Sequence, residues 1–145
     1  MPSDIVAIAA DHAGVELKSL LREEMEGMGL RVLDLGTDSG ASVDYPDFGA
    51  AVARAITDGK ASRGVVVCGT GLGISIAANR FKGVRAAPCG DATAARLARQ
   101  HNDANVLALG ARLVGVEVAK DCLKIFLGTP FDGGERHSRR IAKLG

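Results

Sequence analysis

Tryptophan is absent from the 145 residues of this sequence, and one tyrosine with four phenylalanines gives an aromatic share of only 3%. Proteins that bind single-stranded nucleic acids stack the bases on aromatic rings, so this scarcity argues against such a surface. The net charge is only +1, so the broad positive field that attracts DNA is missing too. We therefore predict no nucleic-acid partner, although a local group of cations would suffice to bind a small phosphorylated metabolite.

Long apolar runs are also missing, because no stretch approaches the ~20 residues of a membrane-spanning helix. The N-terminal residues show neither the basic leader nor the cleavage pattern of a signal peptide. The three cysteines, Cys68, Cys89 and Cys122, form an odd and scattered set, which disfavours a disulfide framework and favours reduced thiols. The spacings CxxC, HxH and HExxH do not occur, so we predict no metal site. Together these absences predict a cytoplasmic protein with no membrane partner.

Strand-like and helix-like segments alternate along the whole chain. Apolar runs of strand length fall at residues 4–10, 30–35, 64–68, 84–88 and 106–109. Such runs are typical of strands covered on both faces, and their alternation with helices indicates a sheet between two helical layers. The sequence thus predicts one α/β domain, residues 1–145. The predicted architecture is a three-layer αβα sandwich with a Rossmann-like, mainly parallel five-stranded sheet and a C-terminal basic helix around residues 136–144.

Apolar spacing also predicts which helix faces are buried. The helix that starts at about residue 14 presents Leu17, Leu20, Leu21 and Met28 on one face. In the last long helix, Val114, Val118, Cys122 and Ile125 recur at spacings of four, four and three. Three further helices are predicted near residues 47–59, 74–79 and 91–101.

In open parallel sheets, ligands bind at the carboxyl ends of the strands, so the residues that follow each predicted strand form the candidate site. Asp11 and His12 follow the first strand, Cys68 ends the third, and Arg112 follows the fifth. The helix before the fifth strand ends in His101, Asn102 and Asp103. We expect two of the three histidines and Cys68 to meet in one site.

Cys68 has two interpretations at this point. Free cysteine is among the most buried residue types, so Cys68 could simply be a small hydrophobic residue. However, a thiol that faces a glycine-rich turn and a helix N-terminus is surrounded by backbone N–H groups that favour the reactive thiolate. Cys89 and Cys122 have no comparable setting, and we assign both to packing.

The loop GTGLG that follows Cys68 also has more than one interpretation. A dinucleotide-binding loop needs G-x-G-x-x-G, whereas this loop has G-x-G-x-G, although Asp91 lies at a suitable distance for a ribose-binding acid. Alternatively, the N–H groups of residues 69–73 and the hydroxyl of Thr70 could stabilise a developing oxyanion. A tight strand-to-helix connection would by itself explain one or two of the three glycines.

The remaining candidates are cations. His101 could be a surface residue at a helix end, and its neighbours could be ordinary turn residues. Arg136 and Arg140 are four residues apart, so they share a helix face and could bind one phosphate together with Arg112. The alternative is a solvated basic tail.

Five motifs in this order resemble the ribose/galactose isomerase family, which includes type B ribose-5-phosphate isomerases and the galactose-6-phosphate and allose-6-phosphate isomerases. They are DHAG (residues 11–14), DYPD (44–47), CGTGLGISIAANR (68–80), RQHNDANVLALGAR (99–112) and the tail GG-RH-R. The resemblance covers nearly the whole chain. The tail departs from the family's usual GGRH, because Glu135 is an additional residue.

The resemblance implies a metal-free, cofactor-free aldose–ketose isomerase that acts through an enediolate on ribose 5-phosphate and ribulose 5-phosphate. It implies Cys68 as the base, His101 as the acid that opens the sugar ring, and a dimer or tetramer with sites at a subunit interface. The other implied site residues bind the enediolate or the rest of the sugar phosphate: Thr70, Asp11, His12, Gly69, Gly71, Leu72, Gly73, Asn102, Arg112, Arg136 and Arg140. Three alternatives stay open: another aldose phosphate as substrate, a nucleotide-binding regulatory module, and an inactive structural subunit.

Overall fold

The computed structural model describes residues 5–145, in which five β-strands alternate with six α-helices. The strands are β1 (Ile5–Ala10), β2 (Arg31–Asp34), β3 (Arg63–Cys68), β4 (Ala86–Pro88) and β5 (Val106–Gly110). The helices are α1 (Val15–Gly27), α2 (Tyr45–Thr57), α3 (Leu72–Ala78), α4 (Ala92–Asn102), α5 (Val116–Gly128) and α6 (Glu135–Leu144). Asp4, predicted as the first strand residue, lies outside the described part of the chain.

The five strands form one sheet in the order β2-β1-β3-β5-β4, and every neighbouring pair is parallel. Ala10 pairs with Val67, and Cys68 pairs with Gly110, so β1, β3 and β5 end at the same edge of the sheet. Because parallel neighbours need crossover connections, each of the helices α1 to α4 returns the chain to the opposite edge for the next strand. The predicted three-layer αβα sandwich with a five-stranded parallel sheet is confirmed.

Alternate residues of the central strands face two separate cores. Val65 and Val67 pack with α1, α4 and α5, whereas Val66 and Cys68 pack with α2 and α3. Both faces of these strands are buried, which explains why their sequences are uninterrupted apolar runs. Cys68 thus faces a different helical layer from Cys89 and Cys122, which belong to the core around α4 and α5.

The predicted buried faces of two helices need correction. Met28 is the residue that caps α1 and is exposed, and Leu20 is only half-buried. In α5, Val118 and Ile125 are exposed and Val114 precedes the helix. The buried face is instead Ala119, Cys122, Leu123 and Phe126. This stripe has the i, i+3, i+4, i+7 spacing of one helix face, whereas the predicted set drifted away from it.

The C-terminal segment forms α6, which has no buried residue and contacts α4. Residues 136–144 are thus helical, and Glu135 is the first residue of the helix rather than an interruption of it. Across residues 5–145, no helix has both the length and the apolar character needed to cross a membrane.

Gly49 allows α2 and α3 to approach each other closely. A Cβ atom at this position would lie 2.7 Å from the carbonyl oxygen of Ile74 and 3.0 Å from Cβ of Ala77. Because the nearest obstacle is backbone, a side chain could be accommodated only if the two helices moved apart. Since α3 directly follows the loop after Cys68, this contact also fixes the position of that loop.

We therefore expect Gly49→Ala to lower the free energy of unfolding by about 1–3 kcal/mol, the usual cost of overpacking. The measurement is the midpoint of urea denaturation. Gly27→Ala is the matched control, because Gly27 ends α1 with no atom within 4 Å of a new Cβ. That substitution should leave stability unchanged or raise it by up to about 1 kcal/mol. Equal stability of the two variants would contradict this account of the α2–α3 contact.

Candidate functional site

Cys68 is the last residue of β3, at the centre of the carboxyl edge of the sheet. It is buried, with 4% of its surface exposed, and its sulfur accepts a hydrogen bond of 3.1 Å from the N–H of Gly71. A donated N–H stabilises negative charge on the sulfur. Several backbone N–H groups were predicted around this thiol, and one of them, in the loop that covers it, donates directly to the sulfur.

The loop after Cys68 follows this path only because its glycines lack side chains. Gly71 has a positive φ of 77°, and a Cβ there would lie 2.9 Å from the carbonyl carbon of Leu109. A Cβ on Gly73 would lie 2.6 Å from the ring of Tyr45, and one on Gly69 would lie 3.2 Å from the guanidinium of Arg112. Gly71 and Gly73 therefore have steric reasons that do not depend on a nucleotide, whereas the exposed Arg112 side chain could move away from a Cβ on Gly69.

Not all five backbone N–H groups of residues 69–73 are free to donate to a ligand. The N–H of Gly71 is used by the sulfur of Cys68, and the N–H of Leu72 donates to Oγ1 of Thr70 at 3.2 Å. Because α3 begins at Leu72, the N–H groups of Gly73 and Ile74 have no acceptor within the helix. The Thr70 side chain is exposed, so its hydroxyl can still donate to a bound oxyanion.

Tyr45 is a site residue to which the sequence analysis gave no role. It is the first residue of α2, it is 41% exposed, and its ring covers the Cα of Gly73. The signal that could have found it is the third glycine of the loop, since a glycine at a helix start often marks a close approach by another group.

Asp11 and His12 follow β1, directly beside β3. Asp11 is buried, and its Oδ1 accepts a hydrogen bond of 2.9 Å from the N–H of Ala13. His12 is half-buried, and its Nδ1 accepts a hydrogen bond of 3.2 Å from the N–H of Val43. The structure thus places both predicted residues at the same sheet edge as Cys68.

Arg112 completes this group at the carboxyl edge. Its backbone N–H donates to the carbonyl oxygen of Gly69 at 2.9 Å, and its guanidinium lies beside the Cα of Gly69. The side chain is exposed, so it can bind an anion that approaches the loop.

His101 and Asn102 do not join the group, and the expectation that they would meet Cys68 within one chain is wrong. They end α4, which starts after the carboxyl end of β4 and returns to the amino end of β5. The five residues of β5 alone separate these edges by about 16 Å. A helix that leaves the carboxyl edge ends at the amino edge, so the end of α4 does not share an edge with the ends of the strands.

His101 instead belongs to a second cluster, next to the C-terminal tail. Its ring stacks on that of His137, with ring centroids 4.5 Å apart. Arg136 and Arg140 lie on the same helix as His137 and are both exposed. Partial desolvation, with electrostatic interactions from His101, Arg136 and Arg140, holds the pKa of His137 below its ordinary value, against the opposing effect of Asp132.

This second cluster has the spacing of a metal site but the charge of an anion site. Among the described residues, His101, Asp132 and His137 bring possible ligand atoms within 4.8 Å of one another. Two arginines act on the same group, and they oppose a divalent cation. The charge balance therefore favours a phosphate over a metal ion.

The other residues considered from the sequence, Asp91 and two cysteines, have structural roles. Asp91, the possible ribose-binding acid, caps α4 by accepting the N–H of Ala94 at 2.7 Å. Burial and the neighbouring charges of Cys122 and Asp91 raise the pKa of the Cys89 thiol to about 12, and burial also raises the pKa of the Cys122 thiol. Both thiols therefore stay protonated at neutral pH, as expected for packing residues.

Comparisons with known proteins agree with this geometry. The family model described as Ribose/Galactose Isomerase matches residues 6–144. Ribose-5-phosphate isomerase B of Escherichia coli is 45% identical, over 96% of this chain and 93% of its own length. D-erythrulose-4-phosphate isomerase of Pectobacterium atrosepticum is 42% identical, over 97% of this chain and 92% of its own.

A crystal structure of a ribose 5-phosphate isomerase from Thermotoga maritima superposes with a TM-score of 0.94 and is 52% identical. The similarity covers 97% of this chain and 96% of that chain. Such agreement over nearly the whole length, in sequence and in fold, leaves one assignment. The chain belongs to the ribose/galactose isomerase family and is an aldose–ketose isomerase.

Proposed function

We propose that this chain interconverts D-ribose 5-phosphate and D-ribulose 5-phosphate by a proton transfer that Cys68 carries out. The observation that carries the proposal is the hydrogen bond from the N–H of Gly71 to the sulfur of Cys68, in a loop with open donors beside it. The free cysteines are consistent with a reducing compartment, and we place the enzyme in the cytoplasm.

The reaction needs a base and a place for negative charge. In the open-chain aldose, the Cys68 thiolate removes the proton from C2, which leaves an enediolate with its negative charge on the oxygen of C1. The hydroxyl proton on the oxygen of C2 moves to the oxygen of C1, and Cys68 returns its proton to C1, which gives the ketose and restores the thiolate. The developing charge lies on the oxygens of C1 and C2, where the Thr70 hydroxyl and the Gly73 N–H can donate. The loop that covers Cys68 keeps water away from the thiolate, which strengthens these interactions.

Ring opening needs an acid, and one chain cannot supply His101 to its own Cys68. We propose that a second copy of the chain supplies His101 and Asn102, with Arg136 and Arg140 for the phosphate. Large apolar side chains next to the Cys68 loop support such an interface: Leu72, Ile76 and Leu113 are 54%, 63% and 66% exposed. Side chains of this size, exposed together around a catalytic loop, indicate a contact with another protein surface.

The phosphate has hydrogen-bond donors available from both copies. Arg112 and His12 lie at the carboxyl edge, and Arg136 and Arg140 share one face of α6 in the tail. Two guanidiniums one helical turn apart can bind one phosphate dianion with directed hydrogen bonds. Glu135 does not disturb this spacing, because it begins the helix that carries both arginines.

A tetrose phosphate is the second candidate substrate, because the relative from Pectobacterium atrosepticum is named D-erythrulose-4-phosphate isomerase. The test is a comparison of kcat/KM for ribose 5-phosphate, allose 6-phosphate, galactose 6-phosphate and erythrose 4-phosphate, with and without a chelator. We expect ribose 5-phosphate to give the highest value and the chelator to change nothing. A higher value for another sugar would reassign the substrate, and a loss of activity with the chelator would contradict the metal-free reaction.

Replacing the proposed base should stop the chemistry without preventing binding. We expect Cys68→Ala to lower kcat by roughly 10²–10⁴-fold, the usual contribution of a positioned base, with little change in KM. Steady-state kinetics measures both. Cys122→Ala is the control, since Cys122 is a buried thiol on the other face of the sheet, and its kcat should stay close to that of the wild type. A wild-type kcat in Cys68→Ala would contradict the proposed role of Cys68 as the base.

An interface site can be tested by complementation. Cys68→Ala and His101→Asn should each be inactive, but a dimer of one chain of each kind contains one site with both wild-type residues. Random pairing then restores about a quarter of the wild-type activity if the dimer is twofold symmetric. Co-expressed chains with different tags provide the measurement.

The matched control pairs Cys68→Ala with the double variant Cys68→Ala, His101→Asn, which has no intact combination and should stay inactive. If the two single variants also stay inactive together, while each folds and dimerises normally, the shared site is excluded.

A further inference from the structure

The loop before α2 contacts His12 in a way that the proposed reaction does not use. The N–H of Val43 donates to Nδ1 of His12 at 3.2 Å, although the two residues are 31 positions apart in the chain. A backbone N–H can only donate, so Nδ1 must carry a lone pair. A neutral imidazole has one donor and one acceptor nitrogen, and its proton therefore lies on Nε2.

The loop that carries Val43 is attached firmly at its other end. The N–H of Thr37 donates to the carbonyl oxygen of Ala10, and the N–H of Ala10 donates to the carbonyl oxygen of Gly36, both at 2.7 Å. The loop thereby continues the pairing of the sheet past the end of β2, directly beside the residues that precede His12.

A buried ion pair holds the same end of the loop. Nζ of Lys18, a side chain that is only 4% exposed, lies 2.7 Å from Oδ1 of Asp34 and 3.3 Å from Oδ1 of Asp38. Burial by itself raises the pKa of Asp34, but hydrogen bonds from Lys18, the Gly36 N–H and Arg22 outweigh it and leave the pKa below its ordinary value. Asp34 thus stays charged, and it also accepts the Gly36 N–H at 2.9 Å.

At its far end, the loop runs into α2 through Tyr45, whose ring lies against Gly73. The segment between Asp34 and Tyr45 therefore touches the oxyanion loop at one point and His12 at another. An anchored donor of this kind fixes both the orientation and the tautomer of an imidazole, as partner groups do for metal-binding histidines.

We propose that the Val43 amide is a positioning group that holds His12 as the Nε2–H tautomer, so that His12 meets the bound substrate as a hydrogen-bond donor. The role of His12 beside the substrate rests on the proposed function, whereas the tautomer itself is a property of the free protein. A fixed Nε2–H donor suits a group with acceptors only, which in a sugar phosphate means a phosphate oxygen, the carbonyl oxygen or the ring oxygen. A sugar hydroxyl could not donate to Nε2, because a protonated Nε2 has no free lone pair.

The direct test is nuclear magnetic resonance of the ring nitrogens in the wild-type protein with ¹⁵N-labelled histidine. The chain has three histidines, and the variants His101→Gln and His137→Gln assign the other two signals. We expect the neutral form of His12 to show a protonated Nε2 and an unprotonated Nδ1. A protonated Nδ1, or an even mixture of tautomers as in free histidine, would overturn the proposal whether or not the chain isomerises a sugar.

A pair of variants at Val43 separates the backbone N–H from the side chain. Val43→Ala keeps the N–H and should keep the tautomer, whereas Val43→Pro removes it and should give a mixture of tautomers with a raised KM. Circular dichroism and the assembled mass check that both variants are folded. An unchanged tautomer in folded Val43→Pro would show that another group fixes the ring.

A second pair tests the donor and does not depend on the folding of Val43→Pro. His12→Gln places an amide N–H near the position of Nε2, whereas His12→Asn places its amide near Nδ1. We expect the KM of His12→Asn to rise roughly tenfold or more, the scale of a lost hydrogen bond to a charged group, with the KM of His12→Gln closer to the wild type. The reverse order would refute donation from Nε2.

Discussion

The close approach of Gly71 to the backbone at the end of β5 is the constraint on which the proposed site depends. Gly71 has a positive φ and fits against the backbone at the end of β5, and only in this position does its N–H point at the sulfur of Cys68. A side chain at this residue would push the loop off β5 and withdraw the donor. The same loop conformation leaves the first N–H groups of α3 open, so one steric condition positions both the proposed base and the proposed oxyanion donors.

The parallel sheet imposes a second condition, because it separates the groups that the reaction needs. Every strand points the same way, so residues that end strands and residues that end the returning helices lie at opposite edges. Cys68 and Arg112 belong to the first kind, and His101 belongs to the second. The proposed site uses both kinds of residue and would therefore need two copies of the chain, for which the exposed apolar side chains around the Cys68 loop offer a surface.

The segment between β2 and α2 connects the fold to the site. The buried Lys18 side chain pairs with Asp34 at the end of β2 and with Asp38 in the segment, and the far end of the segment places a backbone donor beside His12 and an aromatic ring beside Gly73. Rigid support of this kind matters for an enediolate reaction, since the donors must already be in place when the charge develops.

The sequence by itself determined the fold class, the strand segments and the family, because buried parallel strands are continuous apolar runs and the motifs recur at fixed positions. It also singled out Cys68 and its glycine loop, since strand-end residues of a parallel sheet must share one edge. Only the tertiary structure decided that His101 lies at the other edge, that Tyr45 covers Gly73, and that Val43 meets His12. These facts depend on where the helices return the chain and where the loops cross the edge of the sheet. The spacing of residue types along the sequence does not specify such distances through space.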